Sequence, residues 1–463
     1  MERLSTLDAG FFFVEHENVP MHIGSVAVFE GPAPAYQDLV ALIAAKLPLV
    51  PRYRQVVRTM PMQIFRPVWA DDEHFEIGYH VRHAAVPAPG GGQLRKLAAQ
   101  IFAQRLDRAR PLWEVWLLEG LKGGRWALIS KVHHCMVDGI GGNDLMAAIF
   151  DLGPDTTPPV PVRWEPEPGP SVANLVAEGM LDAATWSLRR LSGATGSWRQ
   201  RLPAPDELLG FGRGLTSSAR RLSAPSASSL NGPIGPHRRW AWATASLSQV
   251  KEIRSALGGT VNDVLLAAIT RGFRDLLEAR GELADGLVVR SLVPVSVRTA
   301  DEQGVIANRV SAVLANLPVG EPDPRRRLAL LRDQMDDLKR TRQAVGAEIL
   351  TGMLGFAAPT LLALGSRAAF RIPQPLVQTV TTNVPGPRFP LFMLGRRMIK
   401  MYPYVPIANN LRIGVAIISY LDRFSFGITA DYDAVPDLRV LVKGISRGLA
   451  ELRGQPETRG TAG

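Results

Sequence analysis

Residues 126–150 read Trp126-Ala-Leu-Ile-Ser-Lys-Val-His133-His134-Cys135-Met-Val-Asp138-Gly139-Ile-Gly141-Gly142-Asn143-Asp-Leu-Met-Ala-Ala-Ile-Phe150. The first nine residues alternate as a strand does. The last eight have helical periodicity and begin at Asn143, a residue type whose side-chain oxygen caps helix starts. The stretch predicts strand, glycine-rich turn, helix, with the two histidines at the strand end. Successive strand side chains point to opposite faces, so only one of His133 and His134 can face a given site. Asp138 follows His134 by four positions, and Gly139, Gly141 and Gly142 supply a turn of close approach. The carboxylate either orients the His134 imidazole or turns to an arginine and fixes the loop. Spacing leaves His134 open as a proton acceptor, as part of a metal site and as a polar strand end. A metal needs three or four converging ligands, and His16, His22, His74, His80, His83 and His237 form no His-Glu-x-x-His helix. No metal is expected. On an extended strand Cys135 points away from His134, which argues against a thiol nucleophile.

Outward from this stretch, the 463 residues are 46% hydrophobic and 21% charged, a composition that excludes a wholly disordered or fibrous protein. Two apolar-rich blocks of similar length predict two domains: residues 1–188, carrying the paired histidines, and residues 240–463, with a tail after about residue 454. Residues 189–239 form a linker between them. In both blocks, short β-branched or alternating runs (23–29, 126–134, 288–297, 411–419, 425–432) interleave with helical patterns (36–46, 94–105, 144–152, 262–278, 325–342). Such interleaving predicts layered α/β domains. His80 and His83 fall in a run expected to be a strand or its edge. No P-loop and no Gly-x-Gly-x-x-Gly after a strand is present, so nucleotide-phosphate chemistry has no visible cradle.

The net charge of +10 raises nucleic acid and anionic membrane as partners, and its location decides between them. Residues 189–239 hold nine arginines against Asp206 and Glu207 alone, a surplus of seven that leaves three for the rest of the chain. Ser, Pro and Gly dominate the same segment, which predicts a solvated spacer or a tether to anionic lipid and argues against nucleic acid. One cysteine cannot make an internal disulfide and points to a reducing compartment. The start of the chain has no secretory pattern. The longest uncharged stretch, 349–366, contains Pro359 and three glycines, so it reads as a buried or interface-lying helix, not a membrane span.

His133-His134-Cys-Met-Val-Asp138-Gly139 matches the His-His-x-x-x-Asp-Gly signature of the superfamily that includes chloramphenicol acetyltransferase, peptide-synthetase condensation domains and bacterial wax ester synthase/diacylglycerol acyltransferases. The rest of the chain resembles the last group most. The matching segments are Leu4-Ser-Thr-Leu-Asp8 with Phe11, Pro20-Met-His-Ile-Gly24, Phe75 to His83, Leu106 to Glu114 with its Pro111-Leu112-Trp113, Val261-Asn262-Asp263, Val293 to Arg298, Asn308-Arg309 and Thr382-Asn-Val-Pro-Gly-Pro387. Gly141-Gly142 depart from the pattern.

The resemblance implies two chloramphenicol acetyltransferase-like domains, mixed sheets flanked by helices, and a central tunnel holding the His-His segment. It implies an acyl-CoA donor as co-substrate, no cofactor, and a diacylglycerol or long-chain alcohol acceptor. It also implies a cytoplasmic protein associated peripherally with the inner membrane face or with lipid inclusions. His134 is then the general base and no acyl-enzyme forms. His133 supports the geometry, and Asp138, beside Gly139, pairs with Arg54, with Arg52 in reserve. Asn262, Asp263 and Pro111-Leu112-Trp113 are expected at the substrate channel, Asn262 orienting substrate or helping to hold the oxyanion. The alternatives are a condensation-type or polyketide-associated acyltransferase fed by a carrier-protein thioester, and a non-catalytic lipid-binding protein.

Overall fold

The computed structural model describes residues 2–59, 66–87, 91–136, 148–155, 164–171, 173–177, 179–181, 229–296, 310–340, 377–408 and 410–454. The first half carries helices α1 (Thr6–Val14), α2 (Tyr36–Lys46), α3 (Ile77–His80) and α4 (Gly91–Ala103). Its strands are β1 (His22–Phe29), β2 (Gln55–Arg58), β3 (Val68–Asp71), β4 (Val81–Ala85), β5 (Trp113–Leu121) and β6 (Arg125–His133). The second half carries β7 (Arg238–Ser246), α5 (Leu247–Leu257), α6 (Val261–Ala279), β8 (Val289–Ser296), β9 (Val310–Leu317) and α7 (Pro324–Arg340). It continues with β10 (Thr379–Val384), β11 (Phe392–Met393), β12 (Arg396–Tyr404), β13 (Ile413–Tyr420), β14 (Arg423–Asp431) and α8 (Leu438–Leu452).

Two six-stranded sheets dominate, in the orders β11-β12-β1-β6-β5-β4 and β7-β14-β13-β10-β8-β9. Both are mixed: β4 runs parallel to β5, and β10 runs parallel to β8 and β13, while the other pairs are antiparallel. This is the layered α/β architecture expected from the sequence. The division of the chain at 189–239 does not divide the sheets, because β11 and β12 come from the second half and β12 pairs with β1 from Gly24↔Tyr404 to Phe29↔Met398.

β1 and β6 are central strands buried on both faces. Ala27, Phe29, Trp126 and Leu128 pack into a core with α1 and α2, whereas Val26, Val28, Ala127 and Ile129 pack into a second core with α4, Trp240 and Tyr404. Covering both faces makes these strands read as nearly continuous apolar runs. Gly24 is required here: a Cβ would sit 2.5 Å from both Phe102 Cε1 and Ser130 O, so a larger residue would lift α4 off the sheet beside His22.

Two expectations change. Residues 229–239 are no spacer, since Leu230 is buried, Asn231 Nδ2 donates to Val377 O and Asn410 O, and Arg238 and Arg239 open β7. The other seven arginines of that segment lie outside the described residues, as do 349–366 and residues 144–147 of the helix expected over 144–152. His80 closes the helical turn α3 and is not in a strand. Its Nδ1 donates to Trp113 O at 2.9 Å and its ring stacks on Trp113, bonds that a strand pointing His80 away could not make. Among the described residues, no helix is long and apolar enough to cross a membrane.

Candidate active site

β6 ends at His133, and His134-Cys135-Met136 form a 3₁₀ turn. The alternating run in the sequence extends through His134, one residue beyond the observed strand. The strand stops because the His133 ring folds back on the chain: the Cys135 backbone N–H donates to His133 Nδ1 at 3.1 Å, a local bond that competes with continued pairing. His134 therefore takes its direction from the turn and not from strand alternation. Its backbone N–H donates to Met21 O at 2.8 Å, just before β1. Its ring stacks on Phe11 of α1, with centroids 3.9 Å apart and an interplanar angle of 29°.

The electrostatics keep these imidazoles neutral. Burial lowers His134 to about 4, and His134 Nδ1 is sealed from solvent with no hydrogen-bond partner among the described residues. His133 is pushed well below its ordinary range, by burial first and then by the Arg108 guanidinium. His22, which pairs with His133 across the strands, is lowered by burial and by Lys131. Cys135 lies in the turn with Sγ 2.9 Å from His133 Nδ1, and burial raises its thiol well above the ordinary value. The expectation against a thiol nucleophile keeps its conclusion but gains a different cause, since a buried thiol resists forming the reactive thiolate.

The loop after the turn, residues 137–147, lies outside the described residues, and with it Asp138 and Gly139. Its return is pinned at Asp151, whose Oδ1 accepts from the buried Lys46 Nζ at 2.6 Å while Ile149 O takes a second bond from the same ammonium. Arg54, the expected partner of Asp138, is buried at the end of the 3₁₀ turn Pro51–Arg54, with its guanidinium 4.9 Å over the Trp164 ring. Arg52 is committed elsewhere, to Glu2, to Gln55 and to the face of Trp69.

Pro111, Leu112 and Trp113 are buried. Leu112 O accepts the His133 backbone N–H at 2.9 Å, and Trp113 Nε1 donates to Tyr53 O at 2.8 Å while its ring stacks on His80. In this structure the segment braces the histidine strand. Asn262 and Asp263 open α6, but its cap is Thr260, which forms a capping box with Asp263: Thr260 N and Oγ1 donate to Asp263 Oδ2 at 2.7 and 2.8 Å. Asn262 Oδ1 is left for Asn383 Nδ2 at 3.2 Å, which joins two segments singled out in the sequence. Among the described residues no hydrogen bond links this pair to either histidine. A cavity of about 180 Å³ lies between β12 and β14, lined by Trp242, Tyr402, Lys400 and Arg423 among others. Lys400 pairs with Val28, so this cavity is at the opposite end of β1 from His22 and His133.

Two residues of the site escaped the sequence reading. Glu15, buried after the apolar run Phe11-Phe-Phe-Val14, accepts the Met21 N–H and faces His133, and Arg108 binds it. The available signal was an acid directly after the apolar end of a helix.

Residues 4–265 match the wax ester synthase/diacylglycerol acyltransferase catalytic domain, and residues 306–453 match the WS/DGAT C-terminal domain. The chain belongs to this family. A probable diacyglycerol O-acyltransferase of Mycobacterium tuberculosis, tgs1, is 38% identical over 473 residues, covering 98% of this chain and 96% of the relative. A putative diacyglycerol O-acyltransferase of Mycobacterium bovis shares the same identity and coverage. Among solved structures, the wax ester synthase/diacylglycerol acyltransferase from Marinobacter aquaeolei superposes with a TM-score of 0.68 at 26% identity, covering 98% of this chain and 99% of that one. The starter condensation domain of rhizomide synthetase, at 14% identity and a TM-score of 0.58, shares the fold. This WS/DGAT family chain is an acyltransferase.

Proposed function

We propose that this WS/DGAT family member moves a fatty acyl group from acyl-CoA to a lipid hydroxyl, with diacylglycerol or a long-chain alcohol as acceptor, and that His134 is the general base. The observation that carries this reading is the neutral His134 imidazole, presented by a tight turn against Phe11 at the end of a strand braced on both faces. As the acceptor oxygen attacks the thioester carbon, its O–H proton passes to the imidazole. The tetrahedral oxyanion then collapses, the C–S bond breaks, and the imidazolium returns the proton to the CoA thiolate. Free thiols titrate near about 8.5, so an imidazolium as acidic as this one gives up its proton readily. Asn262, paired with Asn383, is the proposed oxyanion or substrate contact. Access to lipid is proposed through peripheral contact with a membrane or lipid inclusion.

The test uses purified protein with palmitoyl-CoA and either diolein or hexadecanol, following CoA release and neutral lipid. His134→Ala is expected to lose about 10²–10⁴-fold in rate, the usual scale for a general base. Absence of turnover with every CoA donor tried, or an undiminished His134→Ala rate, would sink the proposal.

A further inference from the structure

The segments Leu4–Phe11 and Leu106–Glu114 were singled out in the sequence, and the chemistry above does not use them directly. The second reaches, through Arg108, a buried carboxylate just past the helix that the first opens. Glu15 follows α1, and its Oε2 accepts from Arg108 Nε at 2.9 Å. Arg108 also donates to the backbone oxygens of Phe12 and Glu15 and lies 4.2 Å over the Phe12 ring, so it clamps both the helix end and the carboxylate. Glu15 Oε1 accepts the Met21 backbone N–H at 3.0 Å, and Met21 O accepts the His134 backbone N–H at 2.8 Å. The same Oε1 lies 3.7 Å from His133 Nε2.

These contacts have one consistent protonation. His133 Nδ1 accepts the Cys135 N–H and so carries no proton. A neutral His133 then holds its proton on Nε2, the nitrogen that faces Glu15. The carboxylate, 3.7 Å away and beyond hydrogen-bond length, favours a proton on Nε2 by its charge and so reinforces what the Cys135 N–H sets; a protonated Nδ1 would oppose that N–H and loosen the turn that aims His134. The geometry points to Glu15, clamped by Arg108, as a positioning residue for the transfer reaction: it fixes the His133 tautomer through Nε2 and the His134 backbone through Met21. The inference rests on the proposed role of His134 as the base. It assigns Glu15 no contact with substrate.

The experiment labels the histidine rings with ¹⁵N in the full-length protein and assigns His133 by comparison with His133→Gln. The folded wild type is expected to show His133 protonated at Nε2 and bare at Nδ1 at neutral pH. Glu15→Gln keeps the shape and removes the charge. It should give a mixed His133 tautomer and a kcat for CoA release lowered by up to about 10²-fold, the scale of a small misplacement of a reacting group, with KM for palmitoyl-CoA unchanged. A wild-type His133 protonated at Nδ1 overturns the inference whatever the variants do. So does a folded Glu15→Gln enzyme with wild-type kcat. If Glu15→Gln does not fold, Arg108→Lys replaces it: a lowered kcat at unchanged KM supports the clamp, and wild-type kcat overturns it. Activity retained by His134→Ala would instead remove the base assignment while leaving the tautomer measurement to stand.

Discussion

Burial of the His134 imidazole sets a pH signature. With its value lowered to about 4 in the folded enzyme against 6.5 for a free imidazole, His134 is neutral, and competent as a base, throughout the range above about 5. The acid limb of kcat/KM is therefore expected near pH 4, not near 6.5. It is to be measured in short assays with near-UV circular dichroism at each pH, because stability moves in the same window. His22, His80, His133 and His134 are all lowered by burial, so between their folded values and 6.5 the unfolded chain binds more protons than the folded one. Their stabilising contribution is complete above pH 6.5 and is lost as pH falls below it. An acid limb with its midpoint at pH 6–7 in folded protein would show a solvated base and refute the buried setting of His134. At this scale the sequence was legible where chemistry is local: adjacent histidines at a strand end are visible in a string. Glu15 was not, because its meaning comes from Arg108 and His133, each more than 90 positions away.

The helix pair α6 and α8 shows what pattern reading captures and what it omits. The 3.6-residue period places α6 within a residue of its observed span, but it gives no sign that Thr260 takes the N-cap position with Asp263 completing the box. The approach of the two helices had no local signal. It depends on Gly272, Gly444 and Gly448: a Cβ on Gly444 would stand 2.7 Å from Gly272 Cα and 2.8 Å from Asp275 Oδ2, and one on Gly448 would stand 2.8 Å from Arg271 Cβ. Two effects compete in Gly444→Ala. Helix propensity favours alanine by about 1 kcal/mol, while overpacking against backbone costs roughly 1–3 kcal/mol. The partner at Gly272 is a backbone atom that cannot swing away, and Asp275 is held by Arg271 and Arg447, so the steric cost wins. The expected outcome is a net loss of up to about 2 kcal/mol in urea unfolding. An unchanged or raised midpoint would mean that the helices part at no cost.

At the scale of the molecule, the two blocks read from composition fold as one interlocked unit. β12 belongs by chain order to the second half and by hydrogen bonding to the first sheet, and its alternation gave no hint of which sheet it joins. The two sheets also touch where a Gly427 Cβ would fall 1.8 Å from Pro403 O and where Trp240 Nε1 donates to Pro403 O, and the two halves meet again where Arg238 bonds Asn18 O. Removing the second half would strip β1 of its partner from Gly24 to Phe29. That leaves a central, apolar strand as a bare edge, the geometry that templates aggregation. It would also remove Trp240, Tyr402 and Tyr404 from the core beneath α4, and with them the support behind His22. Residues 1–228 expressed alone are therefore expected to aggregate or to lack a native near-UV spectrum, although they contain both histidines, Glu15 and Arg108. Co-expressed with residues 229–463, they should recover a soluble complex that releases CoA, because no covalent link at 228 is needed for β12 to reach β1. A soluble, monomeric 1–228 fragment that unfolds cooperatively by itself would show that β12 only decorates the first sheet, and the site would then be the property of one half.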